Sequence, residues 1–456
     1  MTMAGEAEGA GGIRADIACG RLPLDAYLDN FSDIHPALGR HEAKIESDRC
    51  YFCYDAPCVK ACPTAIDIPL FIRKISTGNV DGAAATIFAA NILGGMCARV
   101  CPTETLCEEA CVRNTAEDKP VTIGLLQRHA TDAYMAAHAT FGQRKAPTGR
   151  RVAVVGAGPA GLACAHALAL EGHDVTIFEA RPKPGGLNEY GIAAYKAVGG
   201  FAQHEVDFVT AIGGITIETG KALGRDLSLA GLAADFDAVF LGMGLSGVNA
   251  LGLAGEAGEG VVDAVDWIAV LRQAEDRASV PVGRRVVVVG GGMTAIDAAV
   301  QAKKLGAEEV TIVYRRGEEA MNASPYERDL ARKAGVLIRT FLRPVSLGFV
   351  DGHVDHVVVE RTRLDVAGRP LGTGETLTLP ADQVMKAIGQ TIGDKAPFAG
   401  GVALEAGRVR VDAAFRTSMP KVWAGGDCTG VGEDLTVVAV AQGKAAAASI
   451  HAALAG

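Results

Sequence analysis

Arg151-Val-Ala-Val-Val155-Gly156-Ala157-Gly158-Pro159-Ala160-Gly161-Leu162 decides the fold. An apolar, strand-forming run enters a tight glycine turn and then a helix start. Gly156 allows the turn. Gly158 lets the backbone come close to a pyrophosphate. Gly161 lets the helix pack on the strand, and the helix N-terminus faces the phosphate charge. The next strand, Asp174-Val-Thr-Ile-Phe-Glu179, ends on an acid eighteen residues past Gly161, where a carboxylate can bind ribose hydroxyls. Pro184-Gly185-Gly186-Leu187 follows. Nucleotide contacts are expected from Gly156, Ala157, Gly158, Pro159, Ala160, Gly161, Glu179, Gly186 and Leu187. A glycine pattern alone is weak evidence, so a plain Rossmann unit for another nucleotide is the competing reading.

Taken together, glycine turn, spaced acid and Gly-Gly-Leu resemble the FAD fingerprint of two-dinucleotide flavoproteins. A second glycine turn supports this. Arg285-Val-Val-Val-Val289 leads into Gly290-Gly291-Gly292-Met293-Thr294-Ala295, about 135 residues after the first turn. Gly291, Gly292, Met293 and Thr294 are expected to hold a second nucleotide. The following strand, Val310 to Tyr314, ends on Arg315-Arg316 and not on an acid. Arginine suits the 2′-phosphate of NADP, while NAD usually meets a carboxylate. A solvated pair at a strand end is the bland alternative. Ala387, Ile388 and Gly389 lead back toward the first unit. Val422-Trp-Ala-Gly425-Gly426-Asp427 resembles the second FAD motif, in which Asp427 would bind the ribityl chain. A helix from about Leu435, with Thr436 at its start, could hold negative charge on a reduced flavin ring.

The chain has 456 residues, 49% of them hydrophobic, with 57 glycines, so the prior is roughly three domains. Its net charge is −9 without a long basic run, which disfavours nucleic acid as a partner. The sequence is read as having no apolar run long enough to span a bilayer and no basic-then-apolar leader, which implies a cytoplasmic protein without a membrane partner. Residues 1 to about 20 read as a loose arm, and Leu22 to Lys44 as partly helical. Cys19 reads as a bystander thiol, and Cys164, in the first nucleotide-binding helix, as a core residue and not a reactive one.

Eight of the eleven cysteines fall between Cys50 and Cys111. Such crowding in a cytosolic chain favours metal ligation over disulfides. The first run is Cys50-x2-Cys53-x4-Cys58-x3-Cys62-Pro63, and the second is Cys97-x3-Cys101-Pro102-x4-Cys107-x3-Cys111. Helices are expected between them, Ile66 to Ile75 and Val80 to Asn91, with Asp67 and Pro69 suited to a helix start. A cysteine run closed by Cys-Pro is a feature of ferredoxins, in which the last cysteine of one run serves the other cluster. Two cubane clusters need eight ligands, and by spacing all eight cysteines qualify. Zinc is the alternative, although only one CxxC occurs.

Cys50-Tyr-Phe-Cys53-Tyr-Asp-Ala-Pro-Cys58-Val-Lys-Ala-Cys62-Pro resembles the N-terminal domain of the dihydropyrimidine dehydrogenase family, above all its bacterial PreT branch. So do Ile92-Leu-Gly-Gly-Met-Cys97-Ala-Arg-Val-Cys101-Pro-Thr and Val121-Thr-Ile-Gly-Leu-Leu-Gln127-Arg-His-Ala-Thr. The likeness runs from about residue 45 to the C-terminus, and glutamate synthase small subunits share the architecture more weakly. The resemblance implies a changed ligand set. One cluster would be held by Cys50, Cys53, Cys58 and Cys111. The other would be held by Cys62, Cys101, Cys107 and the amide of Gln127, leaving Cys97 out. An amide oxygen is a harder ligand than thiolate and brings one less negative charge. The family also places a basic residue, usually arginine, near the flavin pyrophosphate where this chain has Lys196; a solvated lysine is the alternative.

The implied fold class is α/β. A helical iron–sulfur domain with two clusters and a flexible N-terminal arm (residues 1–145) precedes two Rossmann-like domains, the second inserted in the first: FAD-binding at 146–247 and 386–456, NAD(P)-binding at 248–385. The implied activity is that of the electron-input subunit of an NAD(P)H-dependent dihydropyrimidine dehydrogenase. Electrons would pass from NAD(P)H through FAD and two [4Fe-4S] clusters to an FMN-containing, PreA-like partner in a heterotetramer. That partner would reduce uracil or thymine to the 5,6-dihydro form. The PreT branch uses NADH and its eukaryotic relatives NADPH. In the latter another arginine follows six residues on, where this chain has Met321 or Asn322, so both nucleotides stay open. No acid/base or nucleophile constellation is assigned as catalytic. A glutamate synthase small subunit and a non-catalytic electron-relay module are the alternatives. The absence of a CxxC beyond Cys111 argues against a thioredoxin-reductase-type disulfide enzyme.

Overall fold

The computed structural model describes residues 13, 16–20 and 22–455. The arm expected at residues 1 to about 20 lies mostly outside them. Its described part is tied down: Ala18 bridges Gly283, and the Cys19 N–H donates to the Val282 carbonyl. The Cys19 thiol points at the Leu305 carbonyl. The chain divides into two compact units, residues 33–189 with 199–247 and 391–456, and residues 1–32 with 190–198 and 248–390.

The first unit joins the cysteine-bearing helices to a five-stranded parallel sheet. The sheet order is Val422–Ala424, Ala238–Leu241, Arg151–Val155, Asp174–Glu179 and Ile215–Thr219. Four of the five residues of Arg151–Val155 are buried, as a strand covered on both faces requires. The helices begin where the local chemistry allows. Asp67 accepts from the Leu70 N–H at 3.0 Å to start Ile68–Ser76, with Pro69 in its first turn. Asn79 caps Val80–Ala90 through the Gly82 N–H. Both helices are those expected from the sequence.

These helices and the sheet share one apolar core. Phe88 lies 5.0 Å from Phe208 and 5.6 Å from Tyr134, centroid to centroid, and the same cluster holds Val152, Leu168 and Ala446. Lys444 donates to the carbonyls of Ala89 and Ala90, placing a cation at the C-terminus of the Val80–Ala90 helix.

The long Thr436–Ala455 helix corrects one sequence reading. It is long and apolar enough to cross a bilayer by length and composition. Its apolar character serves packing on the Pro159–Leu170 helix: a Cβ at Gly443 would lie 2.1 Å from the Ala160 carbonyl oxygen.

The second unit has its own parallel sheet, ordered Val261–Asp263, Gln383–Lys386, Arg285–Val289, Glu309–Val313 and Leu337–Arg339. An antiparallel sheet of Leu342–Val350, His353–Leu364 and Pro370–Pro380 adjoins it. Two of these strands run to 12 and 11 residues. Their alternation is hidden by charged residues that pair across strands, as in Arg343–Glu360 and Arg361–Glu375.

Alanine normally favours a helix over glycine by about 1 kcal/mol. At Gly443 the sign should reverse. Gly443→Ala is expected to lose about 1–3 kcal/mol by overpacking, read as a lowered thermal midpoint. A rise in that midpoint would show that the two helices are not in backbone contact.

Candidate functional site

The first glycine turn is built as its three glycines demand. Gly156 has φ +100°, and a Cβ there would meet the Gly242 carbonyl oxygen at 2.5 Å. At Gly161 a Cβ would lie 1.9 Å from the Gly156 carbonyl oxygen. Gly158 differs: it is the N-cap of the Pro159–Leu170 helix, its φ is −78°, and a Cβ would meet only ordinary contacts beyond 3.8 Å. It leaves open the space a pyrophosphate would fill. The second turn repeats this. A Cβ at Gly290 would strike the Ala387 carbonyl oxygen at 2.2 Å, while Gly292, N-cap of Met293–Lys304, has open space. Thr294 lies in that helix's first turn. At Gly291 a Cβ would touch the Tyr314 ring at 2.6 Å.

Glu179 is buried at the end of its strand. One carboxylate oxygen accepts the Ala157 N–H and the other the Arg181 N–H, both at 2.8 Å. It therefore holds the glycine loop shut, and each oxygen keeps a second lone pair for a hydroxyl. Gly186 presses on the loop from outside, where a Cβ would lie 2.7 Å from the Gly158 Cα. Leu187 opens the short helix to Tyr190. Thr436 donates to the Asn188 side-chain oxygen at 2.8 Å, tying the last helix to this segment. At the second FAD-like motif the Gly426 N–H donates to Gln442 Oε1 at 2.7 Å. Burial, then the charge of Asp434, pushes the Asp427 carboxyl up to about 6. Asn188, Gln442 and the Arg408–Asp434 pair escaped the sequence reading, since none stands in a glycine motif.

Lys196 is neither solvated nor free. Its ammonium sits between Asp297 at 2.7 Å and Glu327 at 2.8 Å, within the second unit. That engages two of its three donors, and the two carboxylates hold its pKa above the ordinary lysine value despite burial. Arg315 is exposed at the end of Glu309–Val313. Arg316 is half-buried, and its Nε is buried without a hydrogen-bond partner. A buried unpaired donor is costly and suits an incoming anion. The Ala387 N–H joins the Val289 carbonyl, and the carbonyls of Ile388 and Gly389 both accept from Asn249.

The cysteines form two groups. Cys50, Cys53, Cys58 and Cys111 line one cleft, walled by Ile68, Ile72, Val121 and Ile123. The thiols surround a space; among the described residues no three His, Cys, Asp or Glu side chains meet at a single-ion site. Burial, then the charges of Cys111 and Cys50, pushes the Cys58 thiol up to about 12. Cys62, Cys97, Cys101 and Cys107 form the other group. A hydrogen bond with Cys97, then burial, holds Cys101 well above the usual thiol range, and Cys62 and Cys107 lie within its field. Thiols so shielded stay protonated unless a cation is present to stabilise the thiolate, which is what an iron centre supplies. Gln127 is buried, and its Nε2 donates to the Gly94 carbonyl at 2.7 Å. That bond fixes the amide and leaves Oε1 as its acceptor.

Two family models match the chain. Residues 27–139 fit dihydropyrimidine dehydrogenase domain II, 4Fe-4S cluster, and residues 150–443 fit pyridine nucleotide-disulphide oxidoreductase. The NAD-dependent dihydropyrimidine dehydrogenase subunit PreT of Escherichia coli K12 is 37% identical over 431 residues, covering 94% of this chain and 98% of that one. The glutamate synthase [NADPH] small chain of the same organism is 35% identical over 452 residues, covering 94% and 95%. Among solved structures, Mycobacterium tuberculosis FprA in complex with NADPH superposes with a TM-score of 0.57 at 20% identity, over 67% of this chain and 84% of that one. The T. acidophilum thioredoxin reductase gives 0.51 at 21% identity, over 67% and 100%. These two share the fold. The chain thus carries a 4Fe-4S domain followed by a flavin and NAD(P) oxidoreductase region.

The two helix glycines should separate folding from binding. Gly158→Ala is expected to fold with an unchanged melting point when stripped of flavin, yet to retain little FAD. Gly161→Ala should lose both. Flavin absorbance and thermal melts read the difference; equal flavin retention by Gly158→Ala and the wild type would show that the open space at Gly158 is not the cofactor's.

Proposed function

Because the chain belongs to the pyridine nucleotide-disulphide oxidoreductase family, in the branch that holds PreT subunits and glutamate synthase small chains, we propose that it is the electron-input subunit of a dihydropyrimidine dehydrogenase. It oxidises NAD(P)H and delivers single electrons to an FMN-containing partner that reduces uracil or thymine. The observation that carries the reading is the thiol arrangement: two groups of cysteines packed in the same core as the flavin-type sheet. A flavin, when bound, exchanges electrons in pairs with a nicotinamide and singly with iron–sulfur clusters.

The chain's residues bind, orient and insulate. The Gly156–Gly161 turn and Glu179 hold the FAD pyrophosphate and ribose, and Asp427 with the Thr436 helix start holds the ribityl end. The Gly290–Thr294 turn holds the nicotinamide nucleotide, with Arg315 and Arg316 at its adenosine ribose. Cys50, Cys53, Cys58 and Cys111 hold the first cluster in their apolar cleft. Cys62, Cys101, Cys107 and Gln127 hold the second, with Cys97 as a hydrogen-bonding neighbour. The domain bounds of this scheme are residues 1–145 for the clusters, 146–247 with 386–456 for FAD and 248–385 for NAD(P). The glutamate synthase reading draws on a nearly equal identity; the Asp55-Ala-Pro-Cys58 stretch and Gln127 favour the first.

Iron and sulfide analysis under anaerobic conditions should find about eight of each per chain, and zinc in their place would overturn the cluster assignment. Cys62→Ser should abolish uracil reduction with the FMN partner while sparing NAD(P)H oxidation by artificial acceptors, because the flavin still accepts hydride. Cys97→Ser should keep both clusters. Uracil reduction by the isolated chain would refute the division of labour, and glutamate formation with a large partner would move the chain to the other branch.

Nucleotide choice is tested separately. Arg315→Ala should raise the KM for NADPH more than that for NADH. Equal effects would mean that the arginine pair is solvated.

A further inference from the structure

The Gly94–Val100 helix, which leads into Cys101, is held from the flavin side by one carboxylate. Glu205, on the Phe201–Thr210 helix, is 1% exposed and accepts the Met96 N–H at 2.8 Å. Gly95 permits this approach, since a Cβ there would lie 2.9 Å from Glu205 Oε1 and 2.7 Å from Phe201 Cζ. Arg99 lies one turn further on. Its guanidinium covers the Phe201 ring at 3.4 Å, donates to the Gly95 carbonyl at 3.0 Å and pairs with Asp132 at 2.8 Å. Asp132 also meets Arg128 at 3.4 Å, and Arg128 pairs with Asp33 at 2.5 Å.

The charges facing Glu205 are therefore Arg99 from the cysteine-bearing helix and Asp132 from the Ile123–Ala137 helix. Arg99 directs its hydrogen bonds to Gly95 and Asp132 and acts on Glu205 through space. Burial outweighs the Met96 and Gly95 N–H groups and pushes the Glu205 carboxyl up to about 8. The backbone it touches joins two elements of the second thiol group. Gly94 accepts the Gln127 amide, and the helix ends at Cys101. A negative charge added there acts on Glu205 through a medium of low dielectric, and a like charge favours the protonated carboxyl.

We propose that Glu205, where it is ionised while the second cluster is oxidised, takes up one proton when that cluster takes up one electron. The inference rests on the cluster assignment above. The electron comes from the reduced flavin and the proton from solvent. The Glu205 carboxylate becomes a carboxylic acid, so the net charge of the buried region is unchanged. When the electron moves on, the proton leaves. Glu205 is a positioning residue for the electron path, holding the cluster helix and buffering its charge.

The test is the midpoint potential of each cluster, followed by electron paramagnetic resonance in a dye-mediated titration from about pH 6 to about pH 10. Below about pH 8 Glu205 is protonated in both redox states, so the second-cluster potential should be flat. Above it only the reduced state keeps the proton, and each tenfold fall in proton concentration should lower the potential by about 59 mV. In Glu205→Gln the slope should vanish, and the first cluster should show none in either protein. A flat wild-type potential, or a slope that survives in the variant, would overturn the proposal. Should the variant fail to assemble, a redox-difference infrared spectrum of the wild type taken above about pH 8 decides: a protonated-carboxyl stretch must appear there on reduction, and its absence counts against Glu205. Iron and sulfide are measured in the same samples. Their absence from the wild type would defeat the cluster assignment itself, whereas full content with a flat potential defeats Glu205 alone.

Discussion

A single apolar core serves both the cysteine-bearing helices and the flavin-type sheet. Phe88 on one side meets Phe208 on the other, and Ile87, Leu126, Val152 and Leu168 belong to the same cluster. Interiors pack at crystal-like density and yield little. The separation between the glycine turn and the two thiol groups is thus set by side-chain contact and not by the connecting segment at residues 138–150. Electron transfer between carriers depends steeply on distance, so a chain that moves single electrons gains from this arrangement. That connecting segment joins two parts that already share one core.

Carboxylates do much of the local fixing in that body. Glu179 ties the Gly156–Gly158 loop through the Ala157 N–H, and Glu205 ties the cluster helix through the Met96 N–H. Each is buried and accepts a backbone N–H, which fixes the segment it touches. In the second unit the acids act on a cation instead. Asp297 and Glu327 hold Lys196 in a buried trio, and removing one member of such a set leaves an uncompensated charge.

The glycines of the two turns hold two kinds of position. At Gly156 and Gly290 positive φ and backbone contact exclude any side chain. At Gly158 and Gly292 neither restriction operates, and the space a Cβ would enter is open. The four positions look alike in the sequence. Local geometry separates those that the fold requires from those where it leaves room for a side chain.

The amino-acid sequence by itself determined the order of parts: a cysteine-rich helical region, a first nucleotide turn, a second inserted turn and a closing Gly-Gly-Asp. These are local signals, because a tight turn, a helix cap or a ligand run is written in neighbouring residues. It also marked Asp67 as a cap and separated eight cysteines from the other three. It did not reveal that the Thr436–Ala455 helix is apolar for packing, that Lys196 answers Asp297 and Glu327, or that Glu205 and Arg99 bracket the cluster helix. Those pairs stand about 100 residues or more apart along the chain. Only tertiary structure brings them together, because burial decides the worth of a charge or a small residue, and burial is a property of the whole fold.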